Sequence, residues 1–568
     1  MTKAHSLLFL LPFGAACSGG LGGGPSGNIV ELTINPAKLS LVTTSDAPST
    51  AQFSVTATFQ NGAEESFDLV GWSLSNTAVG SVDEDGLFTT STSTGGETWL
   101  TAESSGLQAY AEITVIYDEE AIDDGLPDDV AQAFEGDATD ASTQLVWIYP
   151  EDGVALPRNL PEFAFMWNDA TGSDLFKLTF SSDTTNVSVY TADRVYTVPQ
   201  DLWSVITATN AGSDVTVTLE AVSATVSDSG VSNVSGHVKG SEIGFRVNRF
   251  DAQGAVYYWS VARNGIMRSE VDEADPVDWF GPRNDTTEDC VGCHVISPDG
   301  TRVSYGWQVP MADYFQMGLG TIGEDATPSV AIPMDSSREK GSFSTWSPDS
   351  DRVIFSNSGT LTIYDAATGN KLGEIDSDDK LTHPSWSPDG KHLAAVSPVL
   401  NFGSDSAFLG GEIVVFDADA AGNFTTPPWT LVSQATGYNQ YYPSYSPDGE
   451  WLVFNRSTGT SYFDEDASVW IVDADGGTPI ELANANKGAN LTNSWPRWGP
   501  IPDDDVLWLA FASTRDYGSL STDGMAHVWV CAIDTKLAEQ GQDPSFPAFW
   551  LVQQEVGGGN HAPWWSLY

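Results

Sequence analysis

The feature that most limits how this chain can fold is a turn that recurs through its second half, each copy followed by an apolar strand. Trp346-Ser347-Pro348-Asp349, Trp386-Ser387-Pro388-Asp389-Gly390 and Tyr445-Ser446-Pro447-Asp448-Gly449 are the strongest copies. Ser297-Pro298-Asp299-Gly300 starts the series, and Trp495-Pro496-Arg497-Trp498-Gly499-Pro500 extends it. Pro fixes φ in such a turn and Gly accepts a left-handed conformation. The strands that follow include Val353-Ile354-Phe355, Leu452-Val453-Phe454 and Leu507-Trp508-Leu509. A strand-turn-strand unit at this period is the signature of a propeller blade. The chain ends on residues 561–568, an inner strand with no blade after it, and residues 256–261 and 265–268 have the strand character to complete it. Sharing one blade between the two ends closes the ring and removes exposed edges, so residues 255–568 are expected to form a six-bladed β-propeller.

Just before the first repeat stands Cys290-Val291-Gly292-Cys293-His294, a C-x-x-C-H motif in a chain with only four cysteines, the others being Cys17 and Cys531. Two thiols at this spacing form thioethers to one porphyrin edge while the adjacent imidazole reaches the iron, so the motif points to a covalent c-type haem held by Cys290, Cys293 and His294. A local disulfide or a metal half-site is the other reading; zinc would want a second Cys or His pair, and none occurs at ligand spacing. Aligning the repeats puts His294 level with Pro384, Pro443, Pro496 and Pro563 on innermost strands, so the haem is expected to cap one channel mouth. His561, on the blade adjoining the first, and His383 could both face that mouth and are candidate second axial ligands, and Met311 and Met317 are the thioether candidates, which would raise the potential. The motif resembles small cytochromes c over C-x-x-C-H alone. Those proteins wrap the haem in helices, and here at most one short helix, residues 286–293, is available, so an exposed haem or an incomplete second ligand is expected.

At the N-terminus Lys3 precedes the apolar run 7–13, then Gly14-Ala15-Ala16 leads to Cys17. This is an export signal too short to span a bilayer, and it resembles a bacterial lipoprotein signal, which implies lipidation of Cys17 and anchorage to a membrane. Residues 18–27 are the Gly-rich tether that an anchored domain needs. An ordinary cleaved signal is the alternative. Either way the chain is expected in the cell envelope, facing the periplasm or the cell surface, where haem attachment also takes place.

The 77 acidic and 23 basic residues over 568 positions repel phosphate backbones and argue against a nucleic-acid partner. Abundant Gly, Pro and aromatic residues, without long 3.6-period segments, make the chain all-β. Short alternating runs such as 53–59 and 111–115 make residues 28–117 a β-sandwich. Trp72-Ser73-Leu74-Ser75, Val82-Asp83-Glu84-Asp85-Gly86 and Ile113-Thr114-Val115 resemble the bacterial Ig-like domain of group 2, which implies a stalk. Residues 118–143 are acidic and read as a linker with at most one short helix. Residues 144–250 resume alternation, as in 215–219 and 243–247, and loosely resemble a fibronectin type III β-sandwich. The C-terminal repeats resemble the TolB-type propeller, a likeness that speaks for fold and leaves function open.

Cys531, inside Val528-Trp529-Val530-Cys531, is expected to be a buried apolar residue. Asp417, Asp419, Asp473 and Asp475 fall in turns, where Asp bonds its own backbone, rather than forming a calcium site. No Gly-x-Ser-x-Gly elbow and no His-Glu-x-x-His occurs, so a hydrolase ranks below two readings: an electron-transfer or ligand-sensing haem lipoprotein with a redox partner, and a non-enzymatic propeller scaffold for a protein or envelope polymer with Cys290 and Cys293 oxidised.

Overall fold

The computed structural model describes residues 28–227, 230–281, 290–308, 315–323, 328–333, 341–419, 422–461, 464–488, 491–501, 506–552 and 554–568. Cys17, the tether 18–27 and Met311 lie outside them. The chain divides into two compact units, residues 1–115 and 116–568.

The first unit is a small β-sandwich. Ser54–Phe59 pairs with Ile29–Asn35 and Glu64–Ser66, and Gly96–Ser104 pairs with Gly71–Leu74 and with residues 107–115. Alternation does what a two-faced sheet requires. Leu32, Ile34, Val55, Phe88, Leu100, Ala111 and Ile113 point into one core while their neighbours face outward.

The second unit contains a further sandwich and the propeller. Residues 118–143, expected to be a linker, belong to this sandwich. Tyr117 to Ile122 pair in parallel with Thr185 to Tyr190, and Thr139–Asp140 pairs with Gly230–Lys239. Between them the 3-10 helix Val130–Phe134 buries Val130, Ala133 and Phe134 against Leu175, Tyr190 and Val222. The acidic composition misled because the carboxylates stay outside and serve as acceptors: Asn186 Nδ2 donates to Asp118 at 2.8 Å and Tyr190 Oη to Glu120 at 3.2 Å.

Nor does a core boundary separate residues 144–250 from 255–568. Phe163–Asp169 begins with five consecutive buried residues, because the strand is covered on both faces. Phe163 and Trp203 from the sandwich share one apolar cluster with Trp451, Trp508, Phe549 and Trp550 from the propeller. Tyr149 Oη accepts the Trp550 N–H at 3.1 Å across this junction.

Among the described residues, the rest of the unit is six four-stranded antiparallel sheets. Their innermost strands are Cys290–Ile296, Ser344–Trp346, Thr382–Trp386, Asn439–Tyr445, Asn493–Trp498 and Asn560–Ser566, and each touches the next in cyclic order, the last returning to the first. This is a β-propeller. Its ring closes where Asn560–Ser566 pairs with Ala255–Ser260, followed outward by Gly265–Glu270 and Val277–Phe280. The closure is reinforced by Trp565 Nε1 donating to Gln253 O at 2.9 Å and by Tyr257 Oη donating to the Tyr568 carbonyl.

The repeated turn has a physical role in the four sheets that carry it. Ser387 Oγ donates to Asp389 at 2.7 Å and accepts the His392 N–H at 2.9 Å, so one hydroxyl ties the turn to the strand that leaves it. Ser297 and Ser347 do the same with Asp299 and Arg302, and with Asp349 and Arg352. Hydrogen bonding to the ionised form holds Asp349 below the usual carboxylate range, and Asp389 is lowered to about 2 even against its burial, with Lys391 as its main partner.

Candidate functional site

Most inner strands carry a bulge at the same level of the channel. Register slips between Gly292 and Val295, Thr382 and Ser385, Tyr441 and Ser444, and Ser494 and Arg497. The residue inserted there is left-handed in each case: Cys293, His383, Tyr442 and Trp495 have φ of 50°, 47°, 52° and 60°, and Ala562 matches them at 48°. A side chain in that region costs about 1–2 kcal/mol. The next position is Pro384, Pro443, Pro496 and Pro563 in four strands and His294 in the one bearing the motif. The C-x-x-C-H motif therefore occupies the bulge of the first repeat, as the sequence alignment of His294 with the prolines implies.

Three of the inserted side chains, with Phe343, fill the channel at this level. His383 stacks on Tyr442 with centroids 4.2 Å apart, Tyr442 stacks on Trp495 at 4.2 Å, and Phe343 meets His383 edge-on at 4.1 Å. Backbone contacts hold the rings in place. The Tyr442 N–H reaches His383 Nδ1 at 3.3 Å, and the Trp495 N–H reaches Asn455 Oδ1 at 3.0 Å. Beside this aromatic plug is a cavity of about 30 Å³ lined by Cys293, His294, His383, Trp495, Arg497 and Ala562, among others.

His294 is 4% exposed and its ring lies 6.5 Å from that of Tyr257. Neither ring nitrogen has a hydrogen bond of well-formed geometry. Burial pushes its pKa down to about 4 against the pull of the Tyr257 backbone, with the Arg497 charge adding to the depression. The imidazole is therefore neutral at physiological pH, the form that binds a metal.

Residues 290–293, expected at the end of a short helix, are strand: Cys290 pairs with Gln308, Val291 with Trp307 and Gly292 with Gly306. Val291 and Ile296 anchor it by packing among Tyr257, Ile266, Phe280 and Tyr305, and this burial outweighs any local helical preference. Residues 282–289 lie outside the described residues.

Of the candidate second ligands among the described residues, His383 shares a cavity with Cys293 and His294, and His561 and Met317 do not. His383 lines the same cavity, fully packed, with burial and the Arg497 charge lowering its pKa well below the usual range. His561 precedes the cavity-lining Ala562 and packs on Trp259 at 5.6 Å, away from the cavity. Met317 is fully buried with Val295, Leu319 and Trp346 between two sheets, a filler of apolar space. Cys531 is 0% exposed, and burial pushes its thiol pKa up. Asp417 bonds His392 and Trp429, Asp419 bonds Asn423, and Asp473 caps the Asp475 N–H. No metal-ligating cluster occurs among the described residues.

The donor chemistry of Cys293 and His294 fits a covalently attached haem, since a buried neutral imidazole without well-formed hydrogen bonds stands beside a motif thiol. The channel does not supply the room: cofactor pockets run to about 300–1,000 Å³, and the cavity here is a small fraction of that. A porphyrin would have to lie outside the aromatic plug.

The sequence missed Phe343, Tyr442, Trp495 and Arg497. For Tyr442 and Trp495 the signal was present, because each precedes an aligned proline, and Arg497 breaks a column otherwise made of Val295, Thr345, Ser385, Ser444 and Trp564; Phe343 precedes Ser344 and carried no such mark.

These features define an all-β propeller with a cysteine–histidine motif at its channel. No family model matches the chain, and no curated protein matches it. Among solved structures it is similar to TolB from Acinetobacter baumannii, at 11% identity over 83% of this chain and 100% of that one, with a TM-score of 0.36. It is also similar to a TolB from Agrobacterium tumefaciens, at 17% over 54% and 92%, TM-score 0.31. Hydrazine synthase of Kuenenia stuttgartiensis follows at 14% over 46% and 82%, TM-score 0.29. The propeller assignment rests on the sheet order described above, and these likenesses carry no inference about function.

Proposed function

We propose that this is an exported β-propeller protein that carries a c-type haem on Cys290, Cys293 and His294, for electron transfer or for sensing a small ligand at the iron. The observation that supports this most is His294: a neutral, buried imidazole that replaces the proline found in four other inner strands and follows directly on a motif cysteine at the bulge. A proline at that position serves the propeller alone, so the departure from the repeat calls for a chemical reason.

Cys290, Cys293 and His294 would hold the haem, the two cysteines covalently and the histidine through its imidazole. When bound, the haem supplies one-electron redox chemistry or a coordination position. The chain's own contribution is positional. The plug of Phe343, His383, Tyr442 and Trp495 fills the channel beside the motif and would leave a haem no room within it. In this reading Cys17 is lipidated, residues 18–27 tether the folded part to a membrane of the cell envelope, and the partner is an envelope redox protein.

The test is an absorption spectrum of protein exported from a host with c-type haem maturation, recorded oxidised and reduced. A Soret band that survives denaturation, and is lost in C290A/C293A, is the expected result. No band under conditions that mature a known cytochrome c would overturn the haem reading and leave the propeller as a binding scaffold.

A further inference from the structure

The channel has a second opening, at the end carrying the repeated turns, with a cavity of about 320 Å³. Its wall is largely apolar, built from proline rings of the turns such as Pro298, Pro348 and Pro388. One charged side chain lines both this cavity and the small one behind it: Arg497.

A guanidinium has five N–H donors and no acceptor. Among the described residues, Arg497 makes one hydrogen bond, from Nη1 to the Pro496 carbonyl at 3.0 Å, and its Cζ stands 5.5 Å from the Trp564 ring. No described carboxylate pairs with it. Arg515, the comparable cation in the same sheet, is satisfied instead by Ser513, by Asn493 Oδ1 at 2.8 Å and by the Ala485 carbonyl at 2.6 Å. Burial lowers the Arg497 pKa to about 10, so it stays charged at neutral pH. Keeping an unpaired cation in such a place is costly unless an anion meets it.

The same level of the channel presents hydroxyls. Thr345 Oγ1 accepts the Trp386 N–H at 3.1 Å and Ser385 Oγ accepts the Tyr445 N–H at 3.2 Å. Each hydroxyl uses a lone pair in joining neighbouring sheets and keeps its proton to donate. The carboxylates nearest the mouth are occupied within their own turns: Asp299, Asp349, Asp389 and Asp448 each take the hydroxyl of the serine two residues before. They do not reach Arg497, yet their charge opposes the entry of multiply charged anions.

We propose that the Arg497 level of the channel binds a small monocarboxylate with a compact apolar body, the carboxylate meeting the guanidinium and the Thr345 and Ser385 hydroxyls, and the apolar part meeting the proline-lined wall. The cavity is at the small end of the size range of ligand pockets. The site opens at the other end of the channel from the motif, and the proposal does not require haem to be bound.

The test uses the full exported protein and saturation-transfer NMR with benzoate, against benzamide as a neutral isostere and phthalate as a dianion. Hydrogen bonds to a charged group contribute about 1.5–3 kcal/mol, or about 10- to 100-fold in affinity. Benzoate is expected to bind at least about tenfold more tightly than benzamide or phthalate, and R497Q to lose that advantage while R497K keeps part of it. Equal binding of benzoate and benzamide, unchanged benzoate binding by R497Q, or no saturation transfer from millimolar benzoate would overturn the proposal. If circular dichroism shows that R497Q is unfolded, the benzoate-to-benzamide ratio on the unsubstituted protein decides.

Discussion

Asn455 is the side chain whose replacement most directly tests how the channel is held together. It is 0% exposed. Its Nδ2 donates to the Asn493 carbonyl at 2.7 Å and the Ser468 carbonyl at 3.1 Å. Its Oδ1 accepts the Trp495 N–H at 3.0 Å and the Ser494 hydroxyl at 3.3 Å. Three of those contacts cross from the sheet containing Trp451–Ser457 to the next inner strand, and one of them fixes the left-handed Trp495 backbone from which the plug ring projects. Asn455→Leu keeps the volume and removes all four bonds. At about 1 kcal/mol net for each, and with the Trp495 N–H losing that acceptor in a buried site, the propeller should lose roughly 3–5 kcal/mol. The whole chain is not a two-state unit, so the readout is local: hydrogen–deuterium exchange of peptides covering residues 493–498, with the first sandwich as an internal reference. Exchange there should accelerate on the order of a hundredfold or more in N455L, and stay unchanged in residues 28–115. Exchange at 493–498 within a factor of about five of the parent, equivalent to about 1 kcal/mol, would refute the claim that this side chain holds the bulge.

Three further outcomes are expected. His294 and His561 are neutral in the fold, each with a pKa lowered to about 4, mainly by burial, while the unfolded value is about 6.5. Their contribution is therefore complete above pH 6.5 and is lost as pH falls from 6.5 to 4, at about 1.4 kcal/mol per pH unit for each; in haem-free protein the urea midpoint of the propeller should drop between pH 7 and pH 5, and a flat profile would contradict the burial argument. Gly300 has φ +69°, and a Cβ there would meet the Tyr568 ring at 2.1 Å, so Gly300→Ala should destabilise the ring closure by about 1–3 kcal/mol and show as a lower melting temperature and faster exchange at residues 560–568. Cys293 is partly buried whereas Cys531 is fully buried with a raised thiol pKa, so alkylation of native haem-free protein followed by mass spectrometry should modify Cys293 and leave Cys531 until denaturant is added.

How much was legible in the sequence depended on whether a residue's role is local. The Ser-Pro-Asp turns could be read because turn chemistry is confined to four residues, and the pairing of residues 256–260 with the last strand followed from counting strands in the repeat. What escaped was set by packing across long separations. The acidic run 118–143 looked like a linker, yet Val130, Ala133 and Phe134 are spaced to bury against Leu175 and Val222, and surface carboxylates say nothing about the face beneath them. The boundary drawn at residue 250 vanished for the same reason: Phe163 stacks with Trp203 and also meets Phe549, a contact that no window of sequence contains. The helix expected at 286–293 failed where ladder pairing with Gly306, Trp307 and Gln308 decided the backbone. Of the haem-site residues, Cys293 and His294 stand together at the channel, whereas Met317 and His561 were placed by proximity in sequence to channel positions and point instead into packed surroundings.

A repeat protein supplies its own control for deciding which residues carry function. Where six inner strands share one geometry, a position filled the same way in each strand is explained by that geometry. The prolines after the bulge, in four of the six strands, and the serines that begin the turns, in five, come nearest to this, and removing one should cost stability alone. Two positions depart from their columns in ways that the propeller does not require. His294 stands in a column with four prolines and Ser344, and Arg497 stands among Val295, Thr345, Ser385, Ser444 and Trp564. Both departures are unfavourable for folding: a buried imidazole forgoes well-formed hydrogen bonds, and a half-buried guanidinium has no described carboxylate partner. Stability alone would favour replacing them, which is why a cofactor at the first and an anionic ligand at the second account for the two sites better than architecture does. His294→Pro and Arg497→Ser restore the column residue, so each should leave the melting temperature of haem-free protein equal to or above that of the parent while abolishing haem ligation or benzoate binding. A fall of several degrees in either variant would show that the residue is retained for the fold, and would remove the reason for reading that site as functional.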